Sequence, residues 1–303
     1  MSQHTTRITL GTVLVVAVGA ILYGDVALAR WTGLTAAPGF WVLLVAALVA
    51  GAAEFFRMLR ARGLPAQPGL GLAFVVILVA AVFAETQLEP RIRPWLYHRG
   101  LEVYLLLIVG LTFAAFLTQI GRVERSGSDM GGALASVAWT VLGVLAVGLL
   151  GVFLAKVRFL SDDPMRGLGY LALTLGVVKG SDVGAYTVGS LVGRRKLVPT
   201  LSPAKTVEGT AGALAVGIGA AIGIGVGWCG FAWWQMLIFG LAVATAGVLG
   251  DLAESLMKRG CGVKDSGRVP GFGGVLDIMD SMLAAGPVAY LLLVVLTGEA
   301  WGG

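Results

Sequence analysis

The sequence predicts an all-α polytopic membrane protein with about nine transmembrane helices. Three observations predict it. The chain is 57% apolar and 13% charged, whereas soluble domains run near roughly 45–50% and about 25%. Its mean hydropathy is +0.88. Apolar runs of about 20 residues, each long enough to cross a bilayer, recur along the whole length, with no polar stretch between them large enough to form a soluble domain.

The runs place spans at roughly 8–29, 38–57, 69–86, 101–120, 130–155, 167–192, 208–228, 233–258 and 276–297. No clear small-residue cleavage site follows the first, which therefore reads as a retained span. Connections are short and carry turn chemistry, as at Leu64-Pro65 and in the Gly-rich stretch 126–132. Gly and Ala residues over 209–227 recur at small-xxx-small spacing, the pattern of closely packed helices. Trp31, Trp41, Trp95, Trp228, Trp233 and Trp234 fall near span ends, as an interfacial aromatic belt would. Arg57, Arg60 and Arg62 read as snorkelling anchors. Asp25 and Glu54, single carboxylates near span ends, read as interfacial or helix-packing residues. His4 and His98 lie outside the spans without partner motifs, and Cys229 and Cys261 show neither disulfide nor metal spacing.

Alternate connections hold fourteen Lys and Arg residues on one side and seven on the other. The richer side should be cytoplasmic, which puts the N-terminus inside and the C-terminus outside. Two loops, 193–209 and 258–275, supply eight of the fourteen, so the asymmetry rests on stretches that also look functional. The net charge of +5 reads as this anchoring and not as nucleic-acid binding.

Stretch 250–281 packs five carboxylates and four Lys or Arg residues between apolar runs. Charge at membrane depth is expensive, and its default reading is a functional site. Asp251, Glu254 and Ser255 share a helix face at i, i+3 and i+4, and Lys258 continues it. Asp277 and Asp280 share a face of the last span. A Gly-rich connector lets the two helices fold back on each other. Such hard oxygen ligands suit Mg²⁺, which takes one or two carboxylates plus substrate phosphates. Lys258, Arg259, Lys264 and Arg268 would clamp those phosphates. This is an apparatus for phosphoryl or nucleotidyl transfer; a structural ion-pair network is the alternative. A second cluster opens with Lys179 and Asp182 and continues through Arg194, Arg195, Lys196, Ser202, Lys205, Thr206 and Glu208. It offers donors and positive charge to an anion with several oxygens. Thr206 and Glu208 stand where a span begins, so a helix N-terminus could meet the same anion; a cytoplasmic basic loop with a helix cap is the alternative.

At these residues the chain resembles the phosphatidate cytidylyltransferase family. The family signature stands here as Ser255, Lys258, Arg259, Lys264, Asp265, Pro270, Gly271, Gly273, Gly274, Asp277 and Asp280. An upstream pattern is met by Asp182, Ala185, Tyr186, Ser202, Pro203, Lys205, Thr206, Glu208 and Gly209. The motifs cover about the last 130 residues. Phe272, Ile278 and Ala204 depart from the family's usual His, Arg and Lys. The resemblance implies five supporting spans over 1–165 and a catalytic region over 166–303. It implies Mg²⁺-dependent nucleotidyl transfer from CTP to phosphatidic acid at the cytoplasmic face of an inner membrane. Asp251, Asp277 and Asp280 would hold metal, and a second cation such as K⁺ is left open. Lys258, Arg259 and Lys264 would take the triphosphate. Ser202, Lys205 and Thr206 would meet a phosphate of lipid or nucleotide, with Asp182 as a second polar wall. Asp265, Glu208 and Ser255 complete the expected site. Partners would be CTP, phosphatidic acid and membrane lipids, with a homodimer left open. The rivals are a CTP-dependent lipid kinase, a CDP-archaeol-type synthase, and, in another class, a cation-coupled transporter. Transporters often show paired halves, and no internal repeat is visible.

Overall fold

A computed structural model describes residues 3–32, 37–87, 100–127, 129–267 and 273–298. Expectations resting on Arg91, Arg93, Trp95, His98, Arg99, Arg268, Pro270, Gly271 and Phe272 lie outside the described residues. Nine long helices fill most of the described chain: α1 Gln3–Thr32, α2 Pro38–Ala61, α3 Pro68–Gln87, α4 Gly100–Ser126, α5 Met130–Arg158, α6 Pro164–Val192, α7 Val207–Gly227, α8 Trp233–Gly260 and α9 Val275–Thr297. Eight are long and apolar enough to cross a membrane. The ninth, α6, has the length but carries Lys179 and Asp182 within its apolar stretch.

Local chemistry sets the helix ends. Pro38 and Pro164 open α2 and α6, where proline's missing N–H is no loss. Asp129, Asp163 and Thr206 cap α5, α6 and α7 with their side-chain oxygens. Helix α2 lacks a local cap: Ala37 sits in the left-handed region (φ 43°) and contributes no side-chain bond. Asp25 of α1 replaces it, accepting from the amides of Gly39 at 3.0 Å and Phe40 at 2.8 Å. This buried carboxylate is a helix-packing residue, as its position implied.

Two features escaped the hydropathy reading. Helix α5 contains one π-helical segment, Val144–Leu149, where its buried residues meet α3. The connection from α6 to α7 is a hairpin: β1 Lys196–Val198 pairs antiparallel with β2 Ser202–Thr206, with Lys196 opposite Thr206 and Val198 opposite Ser202. Trp41 also departs from expectation. It is buried, stacked on Phe159 at 5.3 Å and edge-on to Phe83, so it is a core residue and not part of an interfacial belt. Trp31, Trp228, Trp233 and Trp234 are exposed at helix ends.

The core runs through Leu48, Phe55 and Leu59 of α2, Leu78 of α3, Leu173 of α6, Phe239 of α8, and Leu276 and Leu293 of α9. Helices α6 and α7 pack backbone against backbone at Gly184 and Gly212. A Cβ on Gly212 would stand 2.5 Å from Val188. The small-residue spacing in α7 thus serves close packing. Short connections make successive helices antiparallel. The C-terminal ends of α6 and α8, the hairpin, and the N-terminal ends of α7 and α9 therefore gather at one end of the bundle.

Candidate active site

The site grows from the approach of α8 to α9. A Cβ on Gly250 would meet Ala284 at 2.6 Å and the Asp280 carbonyl at 2.7 Å, so only glycine lets the helices come this close. The next residue, Asp251, is thereby brought against Asp280. Glu254 lies one turn further along α8. Oxygens of Asp251, Glu254 and Asp280 all lie within 4.8 Å of one another. Glu254 is buried, while the Asp251 side chain keeps 35% exposure, so the group opens on one side.

Three lysines surround these acids. Lys205, from β2, places its Nζ 2.7 Å from Asp251 Oδ2. Lys258 bridges Glu254 and Asp277, lying 2.5 Å from Asp277 Oδ1. Lys179 pairs with Asp182 at 3.0 Å and donates to the Ile278 carbonyl at 3.1 Å. As formal charges, Asp182, Asp251, Glu254, Asp277 and Asp280 face Lys179, Lys205 and Lys258. The cluster carries two negative charges in excess, which one divalent cation would offset. Octahedral Mg²⁺ ligands about 2.1 Å from the metal lie roughly 3–4 Å from one another. Three carboxylates within 4.8 Å reach that spacing through small side-chain adjustments. The donor set is all oxygen and anionic, and it fits Mg²⁺.

The expected residues do not all fall where the signature implied. Asp251 and Asp280 meet. Asp277, expected as a third metal ligand, stands outside that group. Its Oδ1 faces Lys258, and its Oδ2 accepts from the Ser266 amide and hydroxyl, each at 2.9 Å. Glu254 takes the third place. Its spacing from Asp251 placed both on one face, and that was the available signal for it. Lys258, expected at the triphosphate, is engaged by two carboxylates. Arg259 ties the end of α8 to its surroundings, donating from Nη1 to the Val263 carbonyl at 3.1 Å and from Nε to Leu201 of the hairpin turn at 3.4 Å. Lys264 and Asp265 are exposed. Ser202 is half-buried in β2, and Ser255 is buried in α8. The Thr206 hydroxyl oxygen accepts from the Gly209 amide at 3.0 Å. Glu208 accepts from the amides of Arg194 and Arg195 at 3.0 and 3.1 Å, which fixes the start of the hairpin. Asp182 is partly exposed at 44%, on the α6 face that also exposes Tyr186.

One contributor comes from far away in sequence. Glu54 of α2 is buried, and its Oε2 accepts from the Ser266 hydroxyl and the Leu276 amide, each at 2.9 Å. It packs and caps α9, as an isolated acid near a span end should. Nothing in the sequence pairs it with residues more than 200 positions later.

These features define a helical membrane protein with carboxylates and lysines gathered at one end of its bundle. The chain belongs to the cytidylyltransferase family, whose model matches residues 5–296. The match takes in the N-terminal helices as well as the C-terminal motifs. The chain is 33% identical over 266 residues to the phosphatidate cytidylyltransferase of Mycobacterium leprae, covering 86% of this chain and 81% of that protein. It is 33% identical over 304 residues to that of Helicobacter pylori, covering 99% and 94%. The Mycobacterium bovis protein of the same name is 38% identical over 167 residues. That alignment covers 55% of this chain, which thus spans about half the length (53%) of that relative.

Proposed function

We propose that this protein is a phosphatidate cytidylyltransferase, forming CDP-diacylglycerol and pyrophosphate from CTP and phosphatidic acid. The observation that carries the reading is the meeting of Asp251, Glu254 and Asp280 beside Lys205 at one end of a membrane bundle. The relatives are phosphatidate cytidylyltransferases, which supports the substrates.

A phosphate oxygen of phosphatidic acid forms the new bond to the α-phosphorus of CTP, and the bond from that phosphorus to the bridging β-phosphate oxygen breaks. The nucleophile is already anionic at neutral pH, so no histidine base is needed. Asp251, Glu254 and Asp280 would hold Mg²⁺, which when bound would supply positive charge to offset that developing on the phosphate oxygens. Lys205 stands beside that position and contacts the triphosphate. Arg259 and Lys264 add positive charge at the same end. Thr206, already accepting from its helix, keeps its hydroxyl proton for a phosphate oxygen. Asp277 acts by holding Lys258, and Lys258 in turn holds Glu254. Asp182 and Lys179 form a polar wall on the exposed face of α6, where a lipid headgroup can arrive sideways from the bilayer. The lysine and arginine asymmetry supports a cytoplasmic site in a bacterial inner membrane. Residues 166–303 carry the site, and 1–165 support it.

The test is incubation of the purified protein with Mg²⁺, phosphatidic acid and CTP labelled in the α- or the γ-phosphate. Lipid labelled only from α-labelled CTP, with Mg²⁺-dependent pyrophosphate release, is the expected result. Lipid labelled from the γ-phosphate would make the protein a lipid kinase, and absence of pyrophosphate release would favour transport.

A further inference from the structure

We infer that Glu54, on the second helix, is a positioning residue for the site formed by the last two. The inference rests on the functional reading above and extends it to the N-terminal half. A buried carboxylate needs several donors, and Glu54 finds them on both sides of one loop. Its Oε2 receives the Ser266 hydroxyl from the stretch after α8 and the Leu276 amide from the first turn of α9. A Cβ on Gly267 or Gly274 would run into the same carboxylate. One side chain thus clasps the two ends of the 266–276 connection.

The clasp leads to the acids. Ser266 gives Asp277 Oδ2 its amide at 2.9 Å, and its hydroxyl lies 2.9 Å from that oxygen as well. A hydroxyl has one hydrogen to donate, so Glu54 and Asp277 share it. Asp277 Oδ1 holds Lys258 at 2.5 Å, and Lys258 pairs with Glu254 of the three-carboxylate group. Arg57, at 3.9 Å and mostly exposed, is the one ion-pair partner of Glu54 among the described residues. The carboxylate is therefore turned inward, toward the loop. Glu54 thereby fixes where Ser266 stands, and Ser266 fixes the orientation of the Asp277 carboxylate; losing either side chain frees Asp277 to turn and loosens its hold on Lys258, and through it Glu254.

The experiment compares wild type, Glu54→Gln, Ser266→Ala and the double variant. The readouts are CTP and phosphatidic acid kinetics, melting temperature, and Mn²⁺ affinity by electron paramagnetic resonance without substrates. Each single variant should weaken Mn²⁺ binding and kcat/KM for CTP about 10-fold, a size typical of residues behind a metal ligand. The KM for phosphatidic acid should stay within about 2-fold, and the double variant should be no worse than the weaker single, because both act through Asp277. Lower melting temperatures with unchanged Mn²⁺ affinity and kinetics would make Glu54 purely structural and overturn the inference, as would fully additive losses. Ser266→Ala leaves the Leu276 amide bonded and reads the same chain if Glu54→Gln does not fold. If wild type makes no CDP-diacylglycerol, the functional reading fails, and the Mn²⁺ titration alone decides the role of Glu54.

Discussion

Replacing Asp280 with asparagine should stabilise the metal-free protein while abolishing its response to Mg²⁺. Lys205 faces Asp251 and Lys258 faces Glu254, but among the described residues no ammonium group lies within ion-pair distance of Asp280. Two like-charged carboxylates lie within 4.8 Å of it, and Lys179 is the cation that acts on it from beyond ion-pair distance. Two unit charges at that distance repel by about 3.5 kcal/mol at an effective dielectric of about 20. The lysines on Asp251 and Glu254, and solvent at Asp251, offset much of this and leave about 1–2 kcal/mol of net strain. The neutral amide of the Asp280→Asn variant would relieve it, raising the melting temperature in chelator by about 2–8 °C. Wild type at 100-fold excess of Mg²⁺ over Kd should gain about 2.7 kcal/mol; the variant should gain nothing. Product formation should fall at least about 100-fold with the lost electrostatic stabilisation. Thermal unfolding in detergent, with and without Mg²⁺, together with the labelled-CTP assay, measures all three. A lower melting temperature in chelator, or a Mg²⁺-induced shift equal to that of wild type, would refute Asp280 as a ligand.

Asp277→Ala should behave differently. It removes a partner of partly buried Lys258 and the acceptor of two Ser266 bonds, so thermal melting should show a loss of about 2–3 kcal/mol. A reduced but measurable Mg²⁺ shift should persist, separating an anchor from a ligand. Asp25→Ala should cost about 1–2 kcal/mol by uncapping α2 and leave the kcat of the folded protein unchanged, because Asp25 lies at the other end of the bundle. Burial pushes the Cys229 thiol up to about 11. Maleimide labelling of Cys229 should therefore be negligible at pH 7 and rise as the pH passes 9, which pH-dependent labelling followed by mass spectrometry would detect.

Apolar runs and their caps act over a few residues, so the helices were legible wherever one stretch decided its own conformation. The pairing of Asp251 with Glu254 on one face was legible for the same reason. The hairpin was not, because Lys196 and Thr206 pair across a turn that composition marks only as a basic loop. Trp41 sits near a helix end, as belt tryptophans do, but the neighbouring Phe159 and Phe83 enclose it. Asp277 and Asp280 look equivalent in sequence, being three residues apart on one helix.

The sequence by itself determined that this is a helical membrane protein with acids and lysines concentrated near its C-terminal end, because hydropathy and charge are properties of single residues and short windows. Only the tertiary structure decided which acids meet. The contact at Gly250 sets how α8 lies on α9, and that rotation turns Asp280 toward Asp251 and Glu254 while leaving Asp277 to Lys258 and Ser266. It also brought Glu54 to Leu276, a pairing that depends on how α2 docks and that no local pattern encodes.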